Sequence, residues 1–550
     1  MIATHEVFNQ STPFADVNLF TANKPLQDAL TFHHPGFDRE VFHALGEEMG
    51  AGAMQAHARL ANVNKPGLHT HDRFGRRTDQ VEFHPSYHRL MTSALRHGLH
   101  GTPWALPAGA HIDRAAALML FAELEPSVLC PVSMTYAVTP ALRANAAIAA
   151  AWMPKITSRE YDERFLPFSG KTGVTLGMGM TEKQGGSDVR ANTTRAELDA
   201  DTAWGRAYRI TGHKWFFSAP MSDAFLVLAQ TGAGLSCLLL PRILPDGNVN
   251  AVQIQRLKDK LGDHANASSE VEFQGATGWL VGEEGRGVPQ ILAMGALTRL
   301  DCALVTAGLM RHALSLALHH CDERQAFGKP LIDQPLMRNV LADLALESEA
   351  ATALALRLAA AVDHTEHGHD PSGMEAVMRR LLTPVAKFWV CKRASAFAQE
   401  AMECLGGNGY VEAGGEGVMA RIYRQMPLNS IWEGAGNIMA LDLLRALRGA
   451  KVAEALLAEL EPARGSHPAL DREVTRLLDA IDGVADEAQA RRLARSMALV
   501  LEAAQLQRHS PDFVFDAFCA SRLDGEHSAV FGLLPATTDF DSIVARGRPH

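Results

Sequence analysis

Between about residue 176 and residue 290 the chain breaks into short apolar runs bounded by Gly, Asn and Asp, while the flanking sequence carries helical spacing. The runs are YRITGHKWFF, AFLVLAQ, LSCLLLP and VEFQ, and turn-bounded runs of that length are strand signals. PDGN at 245–248 is a turn, because Pro presets φ and Gly permits positive φ. An order of helix, strand, helix, helix lacks βαβ alternation and argues against a doubly wound parallel sheet. The fold class expected is mostly α with a central β-domain.

With 550 residues and about 150 per domain, two to four domains are expected, and four zones separate by pattern. Residues 1–175 read as helices broken by Pro-containing loops at 34–36 and 99–109, and 176–290 as the middle β-domain. In 291–450, residues 336–362 and 374–404 have few breakers and suit buried helices, joined by HTEHGHDPSG at 364–373. Residues 451–550 form a further helical domain, where Leu470, Val474, Leu477, Leu478 and Ile481 give one helix an apolar stripe.

Composition narrows the function classes. Apolar residues at 47% and charged residues at 21% exclude wholesale disorder and a fibrous chain. A net charge of −10 means that the molecule as a whole is not drawn to nucleic acid or anionic membrane, so any such contact needs a local basic patch. Seven scattered cysteines, never spaced C-x-x-C, predict reduced thiols and a cytoplasmic location, and argue against a zinc ribbon or disulfide framework. The opening MIATHEVFNQ predicts no signal peptide. The longest uncharged stretch, 224–241, is interrupted by Gln230, Thr231, Gly232, Gly234 and Ser236 and reads as two strands around a turn, not a membrane span.

Two motifs open the β-zone. In MTEKQGGSD at 180–188, Gly185 and Gly186 let backbone approach a ligand, and Thr181 and Ser187 add hydroxyl donors; a Gly-Gly turn with an Asp cap is the plain alternative. GHKWFFS at 212–218 sets three aromatics in a row, and in a regular strand Trp215 and Phe217 share one face with Phe216 on the other. One face could stack on a flat heteroaromatic ring; ordinary core packing is the alternative.

Together these motifs resemble the acyl-CoA dehydrogenase family of flavoproteins. The first is similar to that family's T-E-x-x-x-G-S-D, through Thr181, Glu182, Gly186, Ser187 and Asp188. The second is similar to G-x-K-x-x-[IF]-[TS], through Gly212, Lys214, Phe217 and Ser218. RQAFGKPL at 324–331, LGGNGY at 405–410 and the stretch from Arg424 to IWEG at 431–434 resemble three further family motifs. VFNQ at 7–10, ARLANVN at 58–64, RLKDKLG at 256–262 and NSIWEGAGNIM at 429–439 look like a branch of the family tied to the bacterial adaptive response to DNA alkylation.

The resemblance implies the acyl-CoA dehydrogenase fold: an α-helical domain, a β-barrel-like domain and a four-helix bundle, with a C-terminal helical domain added in this branch. It implies FAD, a homotetramer and an acyl-CoA substrate. Met180, Thr181, Gly186 and Ser187 would then line the flavin edge and pyrophosphate, with Trp215, Phe217 and Ser218 over the isoalloxazine. Arg324 and Phe327, with the Gly406–Gly407 turn, would meet the adenine half from a partner subunit. Gln334, Trp432, Gly434, Gly436 and Asn437 complete the implied cofactor set.

The implied reaction removes an α-proton from the thioester while the β-hydride passes to the flavin. The base must sit in a dry pocket within hydrogen-bond reach, and the family's base falls at Glu433, between Ile431–Trp432 and Gly434–Ala435–Gly436. A Glu capping the helix expected near Asn437 is the alternative. Several positions depart from the family. Ala435 and Asn437 follow where Thr and Gln or Glu are usual, Pro335 holds the place of a Gln with Gln334 before it, and Trp432 replaces a Tyr. Such changes leave flavin binding in place and alter the acyl channel.

His364, His367 and His369 read as a solvated loop and not a metal site, and no nucleophile elbow, Walker or dinucleotide motif is present. The DNA-linked branch implies duplex DNA as a partner. Residues 451–550 hold 11 Lys and Arg against 16 Asp and Glu, so such binding would need segregated charge. Two clusters are candidates: Arg491, Arg492 and Arg495, and Arg421, Arg424, Arg445, Arg448 and Lys451. An ordinary dehydrogenase without a DNA role and a flavin-bearing scaffold without activity are the remaining readings.

Overall fold

A computed structural model of the chain describes residues 4–415, 417–482, 486–524 and 530–549. Its contacts form two compact units that interleave along the sequence. One comprises Ala56–Ala110 and Glu125–Asp301; the other comprises Met1–Gln55, His111–Leu124 and Cys302–His550.

The first unit is built on nine strands: β1 Gly67–His71, β2 Arg77–Glu82, β3 Leu176–Gly179, β4 Arg195–Thr202, β5 Gly205–Ser218, β6 Ala224–Thr231, β7 Gly234–Pro241, β8 Val252–Leu257 and β9 Ser268–Leu280. Five of them close on themselves in the order β6-β4-β5-β9-β7, with β7 pairing back to β6; β3 adds to β6 and β8 to β9. The closed ring is the barrel-like domain. β6 and β7 are continuous apolar runs because they are buried almost throughout, whereas β4 has one buried position and reads as polar. Tyr208, Ile210, Phe217, Phe225, Leu238, Val271 and Phe273 fill the core.

The two strands expected within 224–241 form the β6–β7 hairpin, in register from Ala224↔Pro241 to Thr231↔Gly234. The PDGN turn closes through Leu244 N–H to Asn248 O at 2.8 Å, with Gly247 at φ +91°. The hairpin β1–β2 departs from the helical reading of residues 1–175. Its strands GLHTH and RTDQVE offer little apolar alternation, so the period-2 signal is weak. What makes the hairpin is local. Asp72 Oδ1 accepts the Phe74 and Arg76 amides at 2.8 and 2.9 Å, and Val81 joins the barrel core.

The second unit is helical. Its long elements are the Cys302–Glu323 part of the helix Gly287–Glu323, then Pro335–Glu366 and Met374–Cys404, which pack against each other, and Gly436–Ala446. Gly287–Glu323 is apolar and long enough to cross a membrane, and 78% of its most apolar window is buried within the structure. The 470–481 stripe lies on the helix Pro468–Asp482, with Leu470 and Leu477 buried.

The described residues of the 451–549 segment dock on these helices through buried charge. Arg357 bonds Glu459 at 2.8 and 2.9 Å and Glu375 at 2.9 and 3.0 Å. Trp389 Nε1 donates to Glu502, whose carboxyl burial raises well above its ordinary range, and Arg522 bonds Asp343 and Glu347. Removing one partner of such a pair costs about 3–5 kcal/mol, so the C-terminal segment is fastened to the bundle and does not stand apart.

Candidate active site

In the β-unit the two motifs meet. The Trp215 amide donates to Thr181 O at 2.8 Å, which lays the 180–188 loop along the end of β5. Beneath them Lys214 Nζ bonds Glu182 Oε1 at 2.9 Å, both side chains wholly buried. Glu182 is also the acceptor for the Thr193 and Thr194 amides at 2.7 and 3.1 Å, the Thr193 hydroxyl at 3.0 Å and Gln184 Nε2 at 2.8 Å. Burial works against the carboxylate, but the Lys214 ammonium and these donors outweigh it and hold Glu182 below the usual carboxylate range. Burial likewise lowers Lys214, with Glu182 opposing. In the sequence both residues are motif letters without a role, and Glu182, between Thr181 and Lys183, carries no local signal of burial.

The aromatic row corrects the expected face pattern. The β5–β9 register shifts between Lys214 and Phe217, so Lys214 and Phe217 point into the barrel while Trp215 is half-buried and Phe216 exposed. Phe217 packs on Phe225 with centroids 4.1 Å apart, and its side chain is therefore not available to cover a ligand ring; only its backbone is. Trp215 is the aromatic on the surface. Lys258 Nζ stands 3.3 Å over its ring centroid and 4.7 Å over that of Phe216, held by Glu270 at 2.7 Å. Ser218 Oγ lies 3.3 Å from Ser268 Oγ.

The loop has the features that a phosphate-bearing cofactor needs. Among the described residues the hydroxyls of Thr181 and Ser187 make no hydrogen bond, and both residues are at least partly exposed. Gly186 lies so close to Thr181 that a Cβ there would stand 2.3 Å from Thr181 Oγ1. Met180 is half-buried, with its carbonyl accepting from Asn192 Nδ2 at 2.9 Å. Two unspent hydroxyls and a close-approach glycine, beside an indole that Lys258 covers on one face, fit the edge of a flavin nucleotide.

The helical unit holds the other predicted residues. Glu433 and Gly434 lie at φ +60° and +109°, just before the helix Gly436–Ala446. The helix N-cap is Ala435, with no side-chain cap, so Glu433 does not play the capping role. Glu433, Trp432 and Gly434 are half-buried, Gly436 is buried and Asn437 exposed. Lys387 Nζ donates to Gly434 O at 2.5 Å. Trp432 Nε1 donates to Asn429 Oδ1 at 2.9 Å, and Asn429 Nδ2 to Thr306 Oγ1 at 3.0 Å.

Arg324, Phe327 and Gln334 gather at a tight hairpin, Gln325–Ala326 with Lys329–Pro330. Gln334 Nε2 bonds Ala326 O at 2.9 Å. Phe327 stands at its tip, 98% exposed at φ +51°. Arg324 Nη1 donates to Asn9 O at 2.5 Å, and the Asn9 side chain pairs both ways with Gln325 at 2.7 and 2.9 Å. Asn408, beside Gly406 and Gly407, reaches Gln10 Oε1 at 3.3 Å. The 7–10 segment thus ties both predicted adenine-side elements, a role that sequence reading did not assign to Asn9 or Gln10.

The solvated-loop reading of 364–373 is corrected for His364, which lies on the last turn of the helix Pro335–Glu366, 3.8 Å from Glu375. Among the described residues no group of three His, Cys, Asp or Glu could hold a metal, and His367 bonds Asp363 O at 3.1 Å. Of the second basic cluster, Arg421 donates to Leu124 O at 2.8 Å and Arg424 pairs with Glu412 at 2.6 Å, so neither is an open surface cation. Arg445, Arg448 and Lys451 are exposed, as are Arg491 and Arg492, while Arg495 is half-buried.

A closed β-domain carrying both flavin-type motifs and a helical unit carrying the IWEG segment define an acyl-CoA dehydrogenase-type protein. Residues 9–163 match the family described as adaptive response protein AidB N-terminal domain, 177–276 the acyl-CoA dehydrogenase middle domain and 285–448 its C-terminal domain. The chain is 46% identical to AidB of Escherichia coli (strain K12) over 95% of each. It is 30% identical to acyl-CoA dehydrogenase family member 11 of Caenorhabditis elegans, over 78% of this chain and 70% of that one. Among solved structures, Bd2924 in its apo form superposes with a TM-score of 0.83 at 30% identity, covering 92% of this chain and 100% of that one. Caenorhabditis elegans ACDH-11 in complex with C11-CoA does so at 0.83 and 26%, covering 97% and 96%. The chain belongs to the acyl-CoA dehydrogenase family, and its nearly full-length likeness is to AidB.

Proposed function

We propose that this chain is an FAD-dependent acyl-CoA dehydrogenase-type oxidoreductase of the AidB kind, cytoplasmic and assembled as a homotetramer. The observation that carries the cofactor assignment is the union of the two motifs, through the Trp215–Thr181 backbone bond, into one surface with unspent hydroxyls. Thr181, Ser187, Gly186 and Met180 would hold the flavin edge and pyrophosphate, Trp215 and Ser218 the ring face. Bound FAD supplies the hydride acceptor for the β-carbon of a thioester. An acyl-CoA substrate is supported by the C11-CoA complex of the worm relative.

The residues then divide the remaining work. A Glu433 carboxylate oxygen takes the α-proton. Its neighbours Ile431, Trp432, Ala435 and Gly436 are apolar; Gly436 is buried and Trp432 half-buried, while Ile431 and Ala435 are exposed. The left-handed Glu433–Gly434 turn sets the carboxylate's height over the helix start. Phe327, bare at its hairpin tip, suits a second copy of the chain. Anaerobic bleaching of the reconstituted flavin by acyl-CoAs of graded length tests this reading. Bleaching by at least one chain length, lost by 10³-fold or more in Glu433→Gln, is expected; silence across the panel removes the dehydrogenase role.

The likeness to AidB favours a second role beside the first, in protection of alkylated DNA. Five exposed cations, Arg445, Arg448, Lys451, Arg491 and Arg492, are the groups that could meet phosphates. With a slope near 0.9 per phosphate contact, binding through them gives a log–log salt slope of at most about −4 to −5. A flat slope, or no duplex binding at low salt, removes this role and leaves an ordinary dehydrogenase.

A further inference from the structure

Lys387 is an expensive residue for its place. It lies within the helix Met374–Cys404 and is 1% exposed, yet among the described residues no carboxylate pairs with it. Among the described residues its ammonium has one acceptor, Gly434 O at 2.5 Å. A buried cation without a counter-ion is retained where its charge does something that an apolar side chain cannot.

What it touches is the turn that carries Glu433. That turn needs holding, because Glu433 at φ +60° sits in a region that costs a residue with a Cβ, and Gly434 follows at φ +109°. The turn is pinned on its other side as well. Trp432 Nε1 bonds Asn429, and Asn429 bonds Thr306 of the helix Gly287–Glu323. Trp432 is therefore held through a neutral relay and Gly434 through a cation, with Glu433 between the two anchors.

We propose that Lys387 is the positioning residue for Glu433: its ammonium clamps the Gly434 carbonyl and so keeps the left-handed turn that presents the carboxylate. This rests on the reading of Glu433 as the base. The clamp acts on the backbone, so it fixes where the carboxylate stands and not whether flavin or thioester binds. A base displaced by about 1 Å loses on the order of 10²-fold in rate.

The test uses the full-length, FAD-reconstituted protein and the variants Lys387→Met, which keeps the stem without the charge, and Gly434→Ala, which opposes the same turn without touching the lysine. Hydrogen exchange by mass spectrometry reads the clamp. In Lys387→Met the peptide spanning 431–436 should exchange at least tenfold faster, while peptides of the helices Gly287–Glu323 and Met374–Cys404 stay protected. Anaerobic bleaching reads the consequence, with an expected loss of about 100-fold in rate in both variants. In Lys387→Met, flavin stoichiometry and the apparent acyl-CoA dissociation constant should change less than threefold. Wild-type exchange at 431–436 in Lys387→Met overturns the proposal, as does wild-type bleaching by that variant. If the wild type bleaches with no acyl-CoA, the base reading of Glu433 fails separately. Exchange then decides the clamp alone: faster exchange supports it and unchanged exchange overturns it.

Discussion

Breaking the Glu182–Lys214 pair is the sharpest test of how the cofactor surface is supported. The pair is wholly buried, and the two ends are unequally provided for. Without Lys214, Glu182 keeps four other donors, from Gln184, Thr193 and Thr194. Without Glu182, the ammonium keeps only Leu228 O at 2.9 Å, and the Thr193 and Thr194 amides lose their acceptor. Loss of one buried partner costs about 3–5 kcal/mol, and each orphaned buried amide about 1–3. Lys214→Met should therefore fall near about 3 kcal/mol and Glu182→Leu nearer 5. The double variant should lose no more than Glu182→Leu alone, a coupling of at least about 3 kcal/mol. For a unit of roughly 200 residues, about 2–4 °C accompanies each kcal/mol, so the single variants should melt about 6–20 °C lower. Differential scanning calorimetry on the apoprotein measures this, with flavin retention after gel filtration as the functional readout. Losses that add to within about 0.5 kcal/mol in the double variant would refute the argument, since they would mean that the two charges do not support each other.

Three further outcomes follow. His312 is buried, with its pKa pushed down to about 3 by burial and by Arg421 and Arg311, from an ordinary 6.5. A depressed folded-state value gives stability that is complete above pH 6.5 and lost as pH falls toward 3. At pH 5 the neutral ring therefore costs wild type about 2 kcal/mol relative to its value above pH 6.5. Urea unfolding of His312→Leu against wild type should show their difference shrinking by that amount from pH 7 to pH 5, and an unchanged difference contradicts the burial. Gly186→Ala drives its Cβ against Thr181 Oγ1, so FAD affinity by fluorescence titration should drop at least tenfold, about 1.4 kcal/mol. Equal affinity would mean that the loop does not meet the nucleotide. Asn9→Ala removes three bonds to Arg324 and Gln325 only in part, since the Arg324 contact is to backbone. It should speed exchange at 324–330 without moving the melting point, and a slower exchange would contradict the tie.

Much of the helix–strand–helix order was written in the local pattern. The 336–362 and 374–404 segments lie within the helices Pro335–Glu366 and Met374–Cys404, because long stretches without Gly, supported by buried Ala and Leu, have one good option. The β6–β7 hairpin was as plain, since an apolar run broken by Thr-Gly-Ala-Gly can turn only there. The β1–β2 hairpin was not, because its polar strands draw their stability from an aspartate-capped turn, from Val81 and Leu68 on the barrel core and from bonds of Arg77 and Asp79 to Ile254 of β8. The face taken by Phe217 was also hidden, because alternation along a strand holds only until a bulge inserts a residue.

What residue order alone determined is therefore the inventory: which stretches are helix or strand, which motifs stand in which sequence, and which glutamate has apolar neighbours on both sides. These are properties of residues within a few positions of each other, where spacing and side-chain chemistry act directly. Only the tertiary structure decided that Glu182 and Lys214, thirty-two positions apart, are one buried pair, that Asn9 reaches a hairpin more than three hundred residues away, and that Lys387 meets the carbonyl beside Glu433. Such contacts depend on how folded elements come together in space, and a sequence pattern of short period carries no record of it.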